Sequence, residues 1–257
     1  MYKAYSVMSP PFDVTSGGIR VMWGLYGWLL AKGQIVHMNA QYADSDFIAI
    51  YPEIAQGNPL GADHVVRYIL NKPGVMGLST ADGTFETGPT EFDPKDQLWY
   101  FSKLFGDSPT DNYLFLPILN AHVFKDQKKL RTKTAYFVGK GESTGVHPLD
   151  SILIDRRVAA NQQSLADLLN ECDVLYCYDP VTAMTELARL CGCRVIVIPS
   201  TYSKEEFLKY EPGLNGISWG TEETVALDAE AFRAHYLNMV DEFSWRLDQF
   251  IEETQRL

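Results

Sequence analysis

No apolar run in this chain approaches the roughly 18–20 residues that a membrane-spanning helix needs. The nearest candidate, Val21 to Ala31, is short and interrupted by glycines. The Ser9-Pro10-Pro11 break keeps the opening residues from forming the apolar stretch of a signal peptide. Cysteine is scarce: the 257 residues hold four, Cys172, Cys177, Cys191 and Cys193, at spacings that match no zinc pattern. Small, buried, reduced thiols account for them, and a cytoplasmic setting is the expectation. Positive charge is short as well. With 22 Lys and Arg against 33 Asp and Glu, the net charge is −11, which argues against a surface made for non-specific nucleic-acid binding. The G-x-G-x-x-G dinucleotide fingerprint, the Walker phosphate loop and an H-x-x-x-H pair are all missing. No repeat or low-complexity tract is visible. The reading expects no dedicated metal site and sets aside α/β-hydrolases and epimerases.

What is present describes an ordinary globular chain, 46% hydrophobic and 21% charged, able to bury a sizeable core. Short apolar runs alternate with helical patterns, the signature of parallel sheets. In the first half, strands are expected around Ala4 to Met8, Ile35 to Met38, Phe47 to Tyr51, Val75 to Leu78 and Tyr113 to Leu116. Helices are expected over Ile19 to Ala31, Asp63 to Leu70 and Asp93 to Phe105. Charges accumulate and the hydrophobic period fades between Pro117 and Lys133, so the divisions fall at residues 1–125, 126–228 and 229–257. The second part begins with a strand at Ala135 to Val138, followed by a helix from Gln163 to Asn170. Lys204 to Tyr210 reads as a helix, Gly213 to Gly220 as a loop, and Ala229 to Gln255 as a long amphipathic helix. Phe232, Tyr236, Met239, Phe243, Phe250 and Ile251 give that last helix an apolar stripe, suited to its own domain or to the first one.

The most telling stretch runs from Cys172 to Pro199. A buried strand (Val174 to Cys177), a turn at Tyr178-Asp179-Pro180, an N-cap at Thr182, a helix, a stop at Gly192 and a β-branched strand (Arg194 to Ile198) make a βαβ unit. Glu186 fits this apolar unit poorly, because a buried carboxylate needs a partner. That partner is either ligand hydroxyls or Arg189 or Arg194. The segment Thr185-Glu186-Leu187-Ala188-Arg189-Leu190-Cys191-Gly192-Cys193-Arg194-Val195-Ile196 resembles the donor-site signature of GT-B-fold glycosyltransferases, written E-A-x-A-C-G-x-P-V-V. Arg194 replaces the usual proline. The second glutamate that many retaining members carry eight residues upstream is Tyr178 here, with Asp179 beside it.

The resemblance implies a GT-B-like α/β fold of two Rossmann-like domains with a cleft between them. It implies a nucleoside-diphosphate sugar as donor, needing no cofactor and no metal. Glu186 would bind ribose, while Lys140, between Gly139 and Gly141, would neutralise the departing diphosphate. Tyr178, Asp179, Thr182 and Ala183 complete the donor set, because free N–H groups at a helix start hold phosphate oxygens. Gly17-Gly18, ahead of the first helix, would face donor phosphates or acceptor. A general base for the acceptor hydroxyl is sought among Asp13, His37, Asp44, Glu53 and His64. Glu53 is preferred, because the Tyr51-Pro52-Glu53 turn leaves a buried strand. Asp13, Asn58 and His64 are the acceptor-side candidates. The acceptor expected is a saccharide or glycan. A hydroxylated DNA base is the alternative, favoured only by Lys125, Lys128, Lys129, Arg131 and Lys133, and a non-catalytic nucleotide-sugar binder is the third reading. Oligomeric state is not legible.

Overall fold

In the computed structural model, residues 3–79, 85–108, 110–200 and 202–257 are described. The chain divides into two compact units, one made of the residues up to Ile118 together with Asp241–Leu257, the other of Leu119–Val240. Each is built on its own parallel five-stranded sheet.

In the first unit the strands are β1 (Tyr5–Val7), β2 (Val36–Met38), β3 (Ile48–Pro52), β4 (His64–Ile69) and β7 (Gln97–Tyr100), with order β2-β1-β3-β4-β7. Helix α1 (Gly17–Ala31) follows β1 and is N-capped by Ser16. An antiparallel pair, β5 (Gly77–Ser79) and β6 (Phe85–Thr87), is inserted before β7. Two expected helices are strands or turns instead. Residues 64–69, HVVRYI, form β4, hydrogen-bonded on both sides to β3 and β7 and buried from Val65 to Ile69. β-branched and aromatic side chains lose rotamer freedom in a helix and pack well on a pleated surface, so the ladder wins over the amphipathic pattern. Residues 93–105 likewise yield only β7 flanked by turns, and Tyr113 contributes a single bridge to Tyr100 rather than a strand.

The larger core of this unit lies on one face of the sheet, and a smaller cluster that includes Ala49, Tyr51 and Val65 lies on the other. Val7, Ile50, Val66, Tyr68 and Trp99 pack with Leu25 and Leu29 of α1 and with Phe243, Leu247 and Phe250. Those last residues belong to helix α6 (Ala229–Thr254). A fully buried side chain of this size stabilises by about 1.5–3 kcal/mol. The tail is also pinned by a Tyr5–Thr254 hydroxyl hydrogen bond of 2.7 Å.

The second unit contains β8 (Lys133–Phe137), β9 (Ile152–Leu153), β10 (Cys172–Cys177), β11 (Arg194–Val197) and β12 (Ile217–Trp219), ordered β12-β11-β10-β8-β9. Short helices α2 (Arg156–Ala160) and α5 (Lys204–Phe207) accompany α3 (Gln162–Glu171) and α4 (Ala183–Leu190). The βαβ unit lies where its sequence pattern puts it: Thr182 caps α4, and Gly192 follows the helix at φ +78°. Leu175, Cys177, Val195 and Val197 are fully buried, while Tyr176 and Ile196 between them are half-buried. This alternation is that of a sheet more deeply covered on one side. All four cysteines are free and buried. The expected loop at Gly213 to Gly220 contains β12, whose three residues pair with Val195 to Val197. A strand this short leaves little sequence signal. Among the described residues, no helix is long and apolar enough to cross a membrane.

Candidate functional site

Strand order singles out one point in the second sheet. The chain leaves β8 on one side to make β9, then returns on the other side to make β10. In an open parallel sheet, the crevice beyond the carboxyl ends of two such strands is the place where loops diverge and ligands bind. Here those ends carry Gly139-Lys140-Gly141 after β8 and Tyr178-Asp179 after β10. Gly139, Lys140, Gly141, Tyr178 and Asp179 therefore meet on one edge, whereas Gly17 and Gly18, also expected on the donor side, belong to the first unit.

The geometry there is tightly specified. Asp179, 5% exposed, accepts the backbone N–H of Lys140 at 3.1 Å and lies 2.9 Å from the Lys140 ammonium. That ammonium also donates to the Val181 carbonyl at 2.9 Å. Lys140 is thus folded towards the start of α4, where the Thr182 hydroxyl accepts the Met184 N–H at 3.4 Å. Glycine is required on both sides of Lys140. Gly139 has φ +59°, and a Cβ there would stand 2.6 Å from Asp179 Oδ2; one at Gly141 would stand 1.9 Å from the Tyr178 carbonyl oxygen. Such close backbone approach is open only to residues without a Cβ.

Glu186 lies in the first turn of α4, at the positive helix end, and is 4% exposed. Its Oε1 accepts the Tyr210 hydroxyl at 2.8 Å. Burial, then the Glu186 charge, raises the Tyr210 phenol well above its ordinary value, so it stays a neutral donor. Arg189, fully buried, sends its guanidinium to the carbonyls of Thr185, Pro212, Gly213 and Asn215 and stacks over Phe232 at 4.0 Å. Burial pushes Arg189 down to about 10, opposed by Glu186 and Tyr210. Arg194, the other suggested partner, pairs with Asp173 instead.

The first-unit candidates are scattered. That sheet has its own reversal between β1 and β3, and Glu53 stands just beyond β3, 4% exposed, accepting the Leu70 N–H at 3.0 Å. Leu70 in turn lies 3.6 Å from the Cβ position of Gly18, so Glu53 and the start of α1 are near neighbours, while Gly17 has open space. Asp13 folds back on Thr15, accepting its N–H and hydroxyl at 2.8 and 2.7 Å, a local turn ahead of α1. Asn58 staples its own loop, accepting from the Tyr51 hydroxyl and donating to the Ala62 carbonyl. It borders a hollow of about 380 Å³ lined by residues 55–58, Ala62, Asp63, Val65 and Arg67 and by others between Pro89 and Asp96, with no other candidate among them. His64 opens β4 at the opposite edge of the sheet, 3.3 Å from Asp46. His37 sits within β2 against Tyr42, and Asp44 is exposed in the loop that follows.

Three short motifs escape the reading of the sequence, and the structure disposes of each. Gly216-Ile217-Ser218-Trp219-Gly220 fits the G-x-S-x-G pattern, but a nucleophile elbow needs an exposed serine at a strand-to-helix turn. Ser218 lies inside β12, 2% exposed, accepting the Val225 N–H. Asp44-Ser45-Asp46 has D-x-D spacing, yet Asp46 faces His64 and Lys3, and Ser45 donates to Asp63. Among the described residues no group of three or more His, Cys, Asp or Glu could hold a metal. Tyr136 and Lys140 are spaced as Tyr-x-x-x-Lys, but they span a strand end and a turn rather than one helical face.

His147 is the residue the sequence concealed, since no acid or thiol lies at a telling spacing. Its imidazole stacks on Tyr136 at 3.8 Å and 13°, and Nδ1 lies 2.7 Å from the Tyr178 hydroxyl. The basic cluster is mostly neutralised. Lys128 and Arg131 pair with Asp126, Lys129 with Asp167, and Lys133 with Glu171.

No family model and no curated protein matches the chain. Among solved structures, it is similar to an uncharacterised protein, KP1_0663, of Klebsiella pneumoniae, at 13% identity and TM-score 0.43, covering 80% of this chain and 86% of that one. It is also similar to the Escherichia coli RcsC C-terminus containing a linker region and phosphoreceiver domain, at 11% identity and TM-score 0.24, covering 96% and 94%. Likenesses at these scores carry no functional argument.

Proposed function

We propose that this protein is a glycosyltransferase that takes a sugar from a nucleoside-diphosphate sugar, with the donor bound by the second unit. One observation carries the reading: Lys140, presented by two obligatory glycines at the sheet's reversal point, is turned by Asp179 and Val181 towards the N-terminus of α4. A lysine beside a positive helix end suits a diphosphate, whose charge grows as the sugar bond breaks. Asp179 holds the folded lysine at that edge through its ammonium and its backbone N–H. A departing phosphate oxygen would share the ammonium with it. The resemblance assigns ribose to Glu186, which Tyr210 holds in place, and the acceptor hydroxyl to the first unit, with Glu53 as base. Ion pairs on four of the five basic residues lend the DNA acceptor less support, and a saccharide or glycan is the proposed acceptor.

The test is a thermal-shift screen against UDP, GDP, dTDP and CDP sugars, followed by a donor-hydrolysis assay on whichever stabilises the protein. Stabilisation by a sugar nucleotide, lost in Lys140→Ala, supports the reading. Binding without turnover would make the protein a passive nucleotide-sugar module, and no response to any of the four would reject the reading.

A further inference from the structure

From the geometry around Tyr178 we infer that His147 is a second anion-contacting residue of the second unit's site, touching the phosphate group of the bound ligand through Nε2; this rests on the donor-site reading above. The loop between β8 and β9 has no helix to anchor it, yet His147 is fixed in two independent ways. Its ring lies flat on Tyr136, and its Nδ1 is hydrogen-bonded to the Tyr178 hydroxyl. Tyr176 and Tyr178 approach its other sides at 6.4 and 5.7 Å between ring centroids. Nε2 is left with no hydrogen-bond partner among the described residues, and it is not among the buried polar atoms sealed from solvent.

A structural histidine commonly uses both nitrogens or turns the spare one to bulk water from a mobile ring. This one is held by stacking, and in the tautomer whose Nδ1 accepts from the Tyr178 hydroxyl, Nε2 carries the ring proton and is a donor. The anchors of the two cation-capable side chains are consecutive: Tyr178 holds His147, and Asp179 holds Lys140. Gly141, between them in the loop, packs against the Tyr178 carbonyl so closely that a side chain there is excluded. One dipeptide at the end of β10 therefore sets both groups on the same sheet edge, which is the arrangement a group with several acceptor oxygens would use.

The probe is inorganic pyrophosphate, titrated calorimetrically into the full chain. An asparagine amide reproduces the Nδ1 side of histidine and a glutamine amide the Nε2 side. His147→Asn should keep the Tyr178 contact and the wild-type melting temperature while weakening pyrophosphate about tenfold, the value of one charge-assisted hydrogen bond. His147→Gln should stay within about threefold of wild type. In wild-type protein labelled at histidine nitrogen, the His147 Nε2 resonance should move on adding pyrophosphate while those of His37, His64, His122 and His235 stay, a measurement that needs no variant to fold. Wild-type affinity in His147→Asn with loss in Lys140→Ala overturns the inference and leaves the donor-site reading standing. Equal losses in both His147 variants with lowered melting temperatures, or a still resonance, overturn it as well. If wild-type protein ignores pyrophosphate, the donor-site reading fails and this inference with it.

Discussion

Glu186 offers the sharpest separation of a ligand role from a structural one. Its carboxylate accepts the buried Tyr210 hydroxyl at 2.8 Å and supplies a negative charge near the fully buried Arg189. Glu186→Ala removes the carboxylate's hydrogen bond with the buried Tyr210 hydroxyl, at a cost of about 3 kcal/mol. Against a total stability of about 5–15 kcal/mol this is severe, and any loss of nucleotide binding in that variant would be ambiguous. Glu186→Gln is the better perturbation. Its amide oxygen still accepts from Tyr210, so the unfolding free energy should fall by only about 1 kcal/mol in urea titration. A carboxylate that grips two ribose hydroxyls loses its charge-assisted bonds in the same variant. The dissociation constant for the stabilising sugar nucleotide should then rise more than tenfold, about 1.4 kcal/mol or more. Tyr210→Phe serves as the mirror control: stability should drop by about 1–2 kcal/mol with nucleotide affinity little changed. A Glu186→Gln dissociation constant within about twofold of wild type would refute the ribose role and leave the carboxylate as an internal tie between α4 and Tyr210.

Two further outcomes concern the tie that closes the second unit's core. Gly192→Ala forces a Cβ to within 2.5 Å of Arg131 Nη2 and 2.7 Å of Asp126 Cγ at φ +78°, so a loss of about 2 kcal/mol or more is expected in urea unfolding; a smaller loss would show that the 126–131 segment yields freely. Asp126 is partly buried, which raises its acid group, but the Lys128 N–H and ammonium and the Arg131 guanidinium outweigh burial and hold it below its ordinary 3.8. Its stabilising contribution is therefore complete above that value and disappears as pH falls through the lower folded value. Wild-type stability should decline more steeply than that of Asp126→Asn below about pH 4, and parallel profiles would contradict the assignment.

The βαβ unit was legible from residue types alone because everything that makes it is local. Thr182 caps, Gly192 stops, β-branched runs extend, and the glycines around Lys140 mark a tight approach wherever the chain is placed. Neighbours decided the rest. Residues 64–69 carry a pattern compatible with a helix, and only the open hydrogen-bonding edges of β3 and β7 make them a strand. Ser218 satisfies a nucleophile pattern and is silenced by its place inside β12. The βαβ unit's sequence singles out Glu186 but leaves its partners open, and one of them, Tyr210, lies beyond the unit. His147 has no telling neighbour along the chain, and it gains its contacts only when sheet pairing sets Tyr136 beside Tyr176 and carries Tyr178 past the strand end. Caps, turns and periodicity act over a few residues and can be read in order. Sheet pairing and side-chain convergence join residues 30 to 40 apart in sequence, such as Lys140 with Asp179, and arise only when the whole sheet assembles.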